Sequence, residues 1–168
     1  PFWKHAHVAR LAISRGKIGD LEAVSLHWTG TVDARYGKVP MPEDMPGVVK
    51  PTLYRADPVL NGGGFFIDGG AHLVSELLWV TGLQARSVSA QMDDPVWDMR
   101  ASVQVMFSDR VIGEILQVGD STCPDRRIQN LYLGSQGMLR IDGMPFCVTI
   151  ARSGEDPVVI QENEMEAV

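Results

Sequence analysis

The chain holds 168 residues, 45% of them hydrophobic, enough for one domain with a sizeable core. A net charge of −6 and a pI near 5.1 argue against a nucleic-acid surface, which needs clustered Lys and Arg; the densest basic group, Arg126-Arg127, follows Asp125. No apolar run reaches the length of a membrane span, no signal-peptide pattern is visible, and Cys123 and Cys147 stand in no CxxC or zinc spacing, so the expectation is a cytoplasmic protein with free thiols, no membrane partner and no nucleic-acid partner.

From Lys4 to Arg15 the pattern predicts a helix, with Val8, Leu11, Ala12 and Arg15 on one face and Gly16 as its stop. His5 and His7, two residues apart, point to different sides of that helix and make a poor metal pair. Leu21 to Val32 alternates loosely and reads as a strand, in which His27 is either half-buried or turned into a ligand cavity. From Asp33 to Pro58 the chain reads as loop, because Pro40, Pro42, Pro46, Pro51 and Pro58 exclude regular helix and central strand. A loop this long in a compact domain covers something or carries function. It delivers Tyr54-Arg55, where Arg55 is either a salt-bridge partner within the loop or an anion and hydroxyl donor for a ligand.

The stretch LNGGGFFIDGGAHLVSELLWVTG, Leu60 to Gly82, follows. A helix from about Phe65 to Thr81 stacks Asp68 and His72 on one face, a turn apart. Behind them Leu73, Leu77 and Val80 form a buried stripe, with Val74 and Leu78 nearby. Gly62, Gly63 and Gly64 imply that something approaches the backbone closely near the helix start, since each costs helix stability that Ala would not. One ionisable pair on a core-forming helix marks a candidate site.

After Gly82 the pattern becomes short runs rich in Val, Ile, Leu and Phe: 85–92, 99–108, 111–118, 126–133 and 138–141. Ala101, Val103, Val105 and Phe107 share one strand face. Most of the connections are short, which demands antiparallel neighbours. Val148 to Ala151 and Val158 to Gln161 read as edge strands, and the acidic end (Glu162, Glu164, Glu166) as a solvated tail. The predicted class is α+β: one large, mostly antiparallel sheet with helices packed on one face. The other face, assigned Met106, Leu116, Leu131 and Leu133 among Gln104, Glu114 and Gln117, is mixed enough to predict a homo-oligomer formed sheet to sheet.

GGGFFIDGGAHLVSELLWVTG resembles the GGGxxxDxGxH…W(L/V)xG signature in the C-terminal domain of the glucose-fructose oxidoreductase, inositol dehydrogenase and rhizopine-catabolism (Gfo/Idh/MocA) family. The flanks agree in order: ISRGKIGDLEAV and YRADP before the motif, GSQGMLRIDG after it. The resemblance implies an NAD(P)-dependent oxidoreductase transferring hydride between nicotinamide and a sugar, inositol-like polyol or related hydroxy compound. His72 would be the general acid/base, Asp68 would orient the substrate or tune the imidazole, and Arg55 and Tyr54 would contact the substrate. His suits the role, because it titrates nearest neutral pH. Tyr54 stands where many members have Trp, and Ser75 where many have Asp.

The chain holds no strand–GxGxxG–helix fingerprint and no Glu-Lys-Pro motif, so residues 1–168 read as a single substrate-binding and oligomerisation domain. NAD or NADP would be held mainly by an N-terminal Rossmann domain outside it, and these residues alone are expected to be inactive. The start at Pro1 rather than Met fits that expectation. Three other readings stand beside this one. Asp68 and His72 could belong to a satisfied core helix; Asp68, His72 and Glu76 could hold a metal, although no second ligand cluster accompanies them; or the domain could be a non-catalytic dimerisation or ligand-binding module.

Overall fold

Strand β1 (Leu21–Thr29) is the first strand in the chain, yet it lies inside the sheet. Our computed structural model describes residues 3–41, 43, 52–123 and 126–165. Helix α1 (Lys4–Ser14) precedes β1; a short helix α2 (Pro58–Asn61) and the main helix α3 (Ala71–Thr81) follow it. Then come β2 (Ala85–Met92), β3 (Arg100–Phe107), β4 (Ile112–Val118), β5 (Arg127–Gly134), β6 (Gly137–Gly143), β7 (Cys147–Arg152) and β8 (Val158–Gln161).

The eight strands lie in the order β2-β3-β4-β1-β5-β6-β7-β8. Two meanders, β2 to β4 and β5 to β8, flank β1 on either side. All neighbours are antiparallel except β1 and β4, which run parallel. That exception is allowed because the long passage from β1 to β2, not a hairpin, separates them in sequence. The α+β class and the mostly antiparallel open sheet are as the sequence predicts.

Alternation sets the faces. In β3 Ala101, Val103, Val105 and Phe107 are buried, and Arg100, Gln104 and Met106 are exposed. Helix α3 lies over β1 and β4, while α1 packs on α3 and reaches β7. Leu73, Leu77 and Val80 join Val24, Leu26, Val105, Phe107 and Ile115 in the main core. A second, smaller cluster of Val32, Tyr36, Phe65 and Met99, with Trp28 and Trp97 against it, sits under the start of the main helix.

Several details differ from expectation. Helix α1 buries Ala6, Ala9, Ala12 and His5, whereas Leu11 is exposed; small residues let this helix come close to α3, and a face led by Leu11 would not. The predicted 65–81 helix is two pieces: a π-helical turn, Phe66–Gly70, feeding α3. Gln117 is buried on the helix side beneath that turn, not on the open face; as the neighbour of Leu116 it must point the opposite way. β7 is interior, with β8 and β2 at the two edges. The acidic end is not wholly solvated: Glu162 accepts a hydrogen bond from the Phe146 amide at 2.8 Å, and Met165 is buried. Within 33–58 the chain forms short 3-10 turns at Asp33–Tyr36 and Leu53–Ala56, and Pro58 opens α2 in the first helical position, where its missing N–H is harmless. Pro42, Pro46, Pro51 and Glu166 lie outside the described residues.

The glycine run has an internal partner. A Cβ on Gly64 would lie 1.7 Å from the Trp97 carbonyl oxygen, and the Phe65 amide donates to that carbonyl at 2.9 Å. Gly62 adopts φ +80° with open space around it. Gly64→Ala is therefore expected to destabilise the fold by roughly 3 kcal/mol or more, through forced displacement of backbone. Gly62→Ala should cost only about 1–2 kcal/mol of left-handed strain. Urea midpoints of the two variants check this, and equal costs would contradict the close approach at Gly64.

Candidate active site

Asp68 sits in the π-helical turn, where the backbone is wider than in α-helix, just before α3 begins. The turn rests on glycines for a visible reason. Cβ atoms on Gly69 and Gly70 would fall 2.9 Å from the two ends of the Gln117 amide, and closer still to the rings of Phe65 and Phe66. Asp98, buried at the start of the same turn, accepts hydrogen bonds from the amides of Gly64, at 3.1 Å, and Phe66. It ties up donors that a helix start would otherwise leave unpaired.

Two short 3-10 turns bring partners to Asp68. Tyr36 ends the first; its buried ring packs on Phe65, and its hydroxyl donates to Oδ2 of Asp68 at 2.6 Å. Arg55 lies on the second; its Nε donates to the same Oδ2 at 2.5 Å, and a terminal nitrogen reaches Oδ1 at 3.5 Å. Gly37, in the left-handed conformation, lets the first turn sit against Ala56, since a Cβ there would meet the Ala56 methyl at 3.0 Å. The Arg55 side chain is 47% exposed, so its ion pair contributes at most about 1 kcal/mol. The phenol's bond to a charged acceptor, formed by a buried residue, contributes roughly 1–3 kcal/mol. Tyr36 is thus the firmer half of the clamp.

The electrostatics follow. Burial pushes the Asp68 carboxyl up, but hydrogen bonds from Arg55 and Tyr36, with the charges of Arg55 and His72, more than offset it and hold the group below the usual carboxylate range. Burial, then the bond to Asp68 and its charge, push the Tyr36 phenol well up against the opposing Arg55. The bond to Asp68 and its charge raise Arg55. At neutral pH the clamp is therefore a fixed carboxylate between two donors that keep their protons.

His72 lies in the first turn of α3, exposed, close enough for its charge to act on Asp68 but without a hydrogen bond to it. Tyr54 is half-exposed beside Arg55 and takes no part in the clamp. Asp68, Arg55 and His72 are thus brought together, and Arg55 is an ion-pair partner of Asp68. Glu76 turns away from them: it accepts from Asn130 at 2.7 Å and Tyr132 at 3.5 Å and faces His5 Nε2 at 3.5 Å, which anchors α1 to α3 and β5. The oxygens of Asp68 and Glu76 serve different donors, and among the described residues no group of three metal ligands gathers. His27 lies outside this site, bonded to Ser25 at 2.8 Å.

Tyr36, Asp98 and Gln117 had no signal in the sequence; each works through a contact from a distant segment. The Gly62–Gly64 run does not fit a dinucleotide phosphate, because its Gly64 amide already serves Asp98 and Trp97 fills the space in front of it. No helix is long and apolar enough to cross a membrane among the described residues.

Residues 7–140 match the family model of the GFO/IDH/MocA C-terminal domain. The chain belongs to that family. Structures of similar fold include an oxidoreductase domain protein from Kribbella flavida (20% identity, TM-score 0.74, covering 95% of this chain and 46% of that one). An inositol dehydrogenase homolog from Azotobacter vinelandii, complexed with NADH and myo-inositol, aligns at 14% identity and TM-score 0.72, covering 94% and 39%. A levoglucosan dehydrogenase in complex with NADH aligns at 14% identity and TM-score 0.73, covering 98% and 47%. The chain thus spans less than half the length of each. No curated protein matches it in sequence. The start of the main helix meets the end of β1 through Phe65 and Trp28, whose ring centres lie 4.6 Å apart.

Because Asp68 is held below its unfolded value of about 3.9, its contribution to stability is fully present above that pH and lost as the pH falls through the folded value. The stability difference between wild type and Asp68→Asn should be constant from pH 7 to about 5 and shrink below about 4. Tyr36→Phe should cost roughly 1–3 kcal/mol at pH 7. Urea titrations across this range check both, and a difference unchanged down to pH 2 would contradict the clamp.

Proposed function

We propose that this domain is the substrate-binding half of an NAD(P)-dependent oxidoreductase acting on a sugar, inositol-like polyol or related hydroxy compound. The observation that carries it is a carboxylate fixed by Tyr36 and Arg55 near an exposed imidazole at the start of the main helix that has no hydrogen bond among the described residues. A nicotinamide would supply the hydride acceptor or donor; the Gly62–Gly64 run is no cradle for its phosphates, so it would be held by other residues of the protein. Asp68 cannot give up its role as acceptor without breaking two bonds, so it orients a substrate hydroxyl through its less engaged Oδ1. His72 accepts the hydroxyl proton during oxidation and returns it during reduction, imidazole being the side-chain type best suited to general acid–base work at physiological pH. Tyr54, beside the clamp and half-exposed, offers a ring face to the substrate.

In the intact protein that carries this chain, His72→Ala is expected to lower turnover by roughly 10²–10⁴ with cofactor affinity nearly unchanged. Turnover equal to wild type would remove His72 from the mechanism. We also propose that the chain pairs with a copy of itself through the open sheet face, where Met106, Ile112, Leu133 and Met138 are exposed. Light scattering should give a dimer or larger assembly; a monomer at high concentration would contradict it.

A further inference from the structure

At the same end of the sheet, linked to the clamp through a run of aromatic rings, two arginines have no acidic partner among the described residues. Arg126 lies just before β5 with its guanidinium 5.0 Å from the centre of the Trp28 ring. Trp28 packs on Phe65 at 4.6 Å, Phe65 on Tyr36 at 5.4 Å, and Tyr36 bonds Asp68. Arg35 neighbours Tyr36 in the first 3-10 turn. Neither Arg35 nor Arg126 has a carboxylate within ion-pair distance among the described residues, although the chain as a whole carries a net charge of −6. Two guanidiniums with no carboxylate partner among the described residues of an acidic protein, one of them joined to the clamp through Trp28, Phe65 and Tyr36, have room for an external anion.

The surrounding shape agrees. An open groove of about 650 Å³ runs between Arg126–Gln129 and Asp142–Pro145. It lies at this end of the sheet because Trp28 pairs with Ile128, and Ile128 with Gly143. The acid in the groove, Asp142, is already neutralised by Arg140 at 2.8 Å. Arg127 lines the same groove.

We propose that Arg126, backed by Arg35, forms an anion site that takes a carboxylate or phosphoryl group carried by the substrate, so that the preferred substrate is an acidic or phosphorylated hydroxy compound and not a neutral polyol. A guanidinium held over the Trp28 ring can still donate two parallel hydrogen bonds to such a group through its edge. Burial and the like charge of Arg35 both press on the Arg126 cation and lower its pKa, and a bound anion would relieve the repulsion. The substrate assignment rests on the oxidoreductase reading; the anion site itself does not.

The test is isothermal titration of the intact protein with inorganic phosphate, glucuronate and glucose. Phosphate and glucuronate should bind, each about tenfold more weakly to Arg126→Gln, and glucose more weakly than glucuronate; Arg126→Lys should keep part of the phosphate affinity, because a point charge still attracts it. If Arg126→Gln does not fold, Arg35→Gln makes the same test. Equal anion binding by wild type and variant, or equal binding of glucose and glucuronate, would overturn the proposal. Weakened NAD(P) binding with unchanged glucuronate binding would overturn it too, by giving the site to the cofactor's phosphates. Because these readouts do not depend on turnover, an intact protein that oxidises no hydroxy compound with NAD(P) would sink the oxidoreductase reading and leave this site standing.

Discussion

The single contact on which the site depends is the Asp68 carboxylate gripped between the Tyr36 hydroxyl and the Arg55 guanidinium. It joins three segments distant in sequence, and it fixes the charge on Asp68. A carboxylate left alone in a partly buried place drifts toward the protonated form. Here two donors reverse that drift, so the group remains an ionised acceptor, with the exposed His72 close enough for its charge to act on it. The fixed charge on Asp68 follows from the clamp, not from its spacing to His72.

The clamp in turn depends on what lies beneath it. Phe65 carries the ring of Tyr36 on one side and packs against Trp28 on the other, and a Cβ on Gly119 would strike it at 2.3 Å. Asp98 fixes the backbone where the π-helical turn starts. Gln117 lies under the turn with both ends of its amide buried and without hydrogen-bond partners among the described residues. Its position against Gly69 and Gly70 explains why small residues are needed there. Rigid support under a few exposed groups is what a site needs to hold geometry.

Much of this was legible in the sequence, for identifiable reasons. Strict alternation in Ala101 to Phe107 and the apolar stripe of Leu73, Leu77 and Val80 gave the sheet face and the main helix, because burial at those positions dominates every competing preference. Asp68, His72 and Arg55 stood out because ionisable groups close to glycines and core residues are unusual. Tyr36 was invisible: it belongs to a turn with no periodicity, and its partner lies far along the chain. The glycine run pointed correctly to a close approach, but the approaching group is the protein's own Trp97 carbonyl. The sequence pattern points to the wrong face of α1, because its alanines carry too little hydrophobicity to outweigh Leu11, while their size decides the packing. Gln117 defies the pattern for the opposite reason: a polar side chain suggests solvent, yet it is buried under the turn.

The claim to test most directly is that Asp68 is a clamped carboxylate. Its side-chain carbon can be followed by carbon-detected NMR as the pH is lowered. The account predicts a midpoint below the ordinary Asp value of about 3.9, moving upward toward or past that value when Tyr36 is replaced by Phe and Arg55 by Gln together. A midpoint at or above the ordinary value in the wild type, unmoved by those replacements, would contradict it.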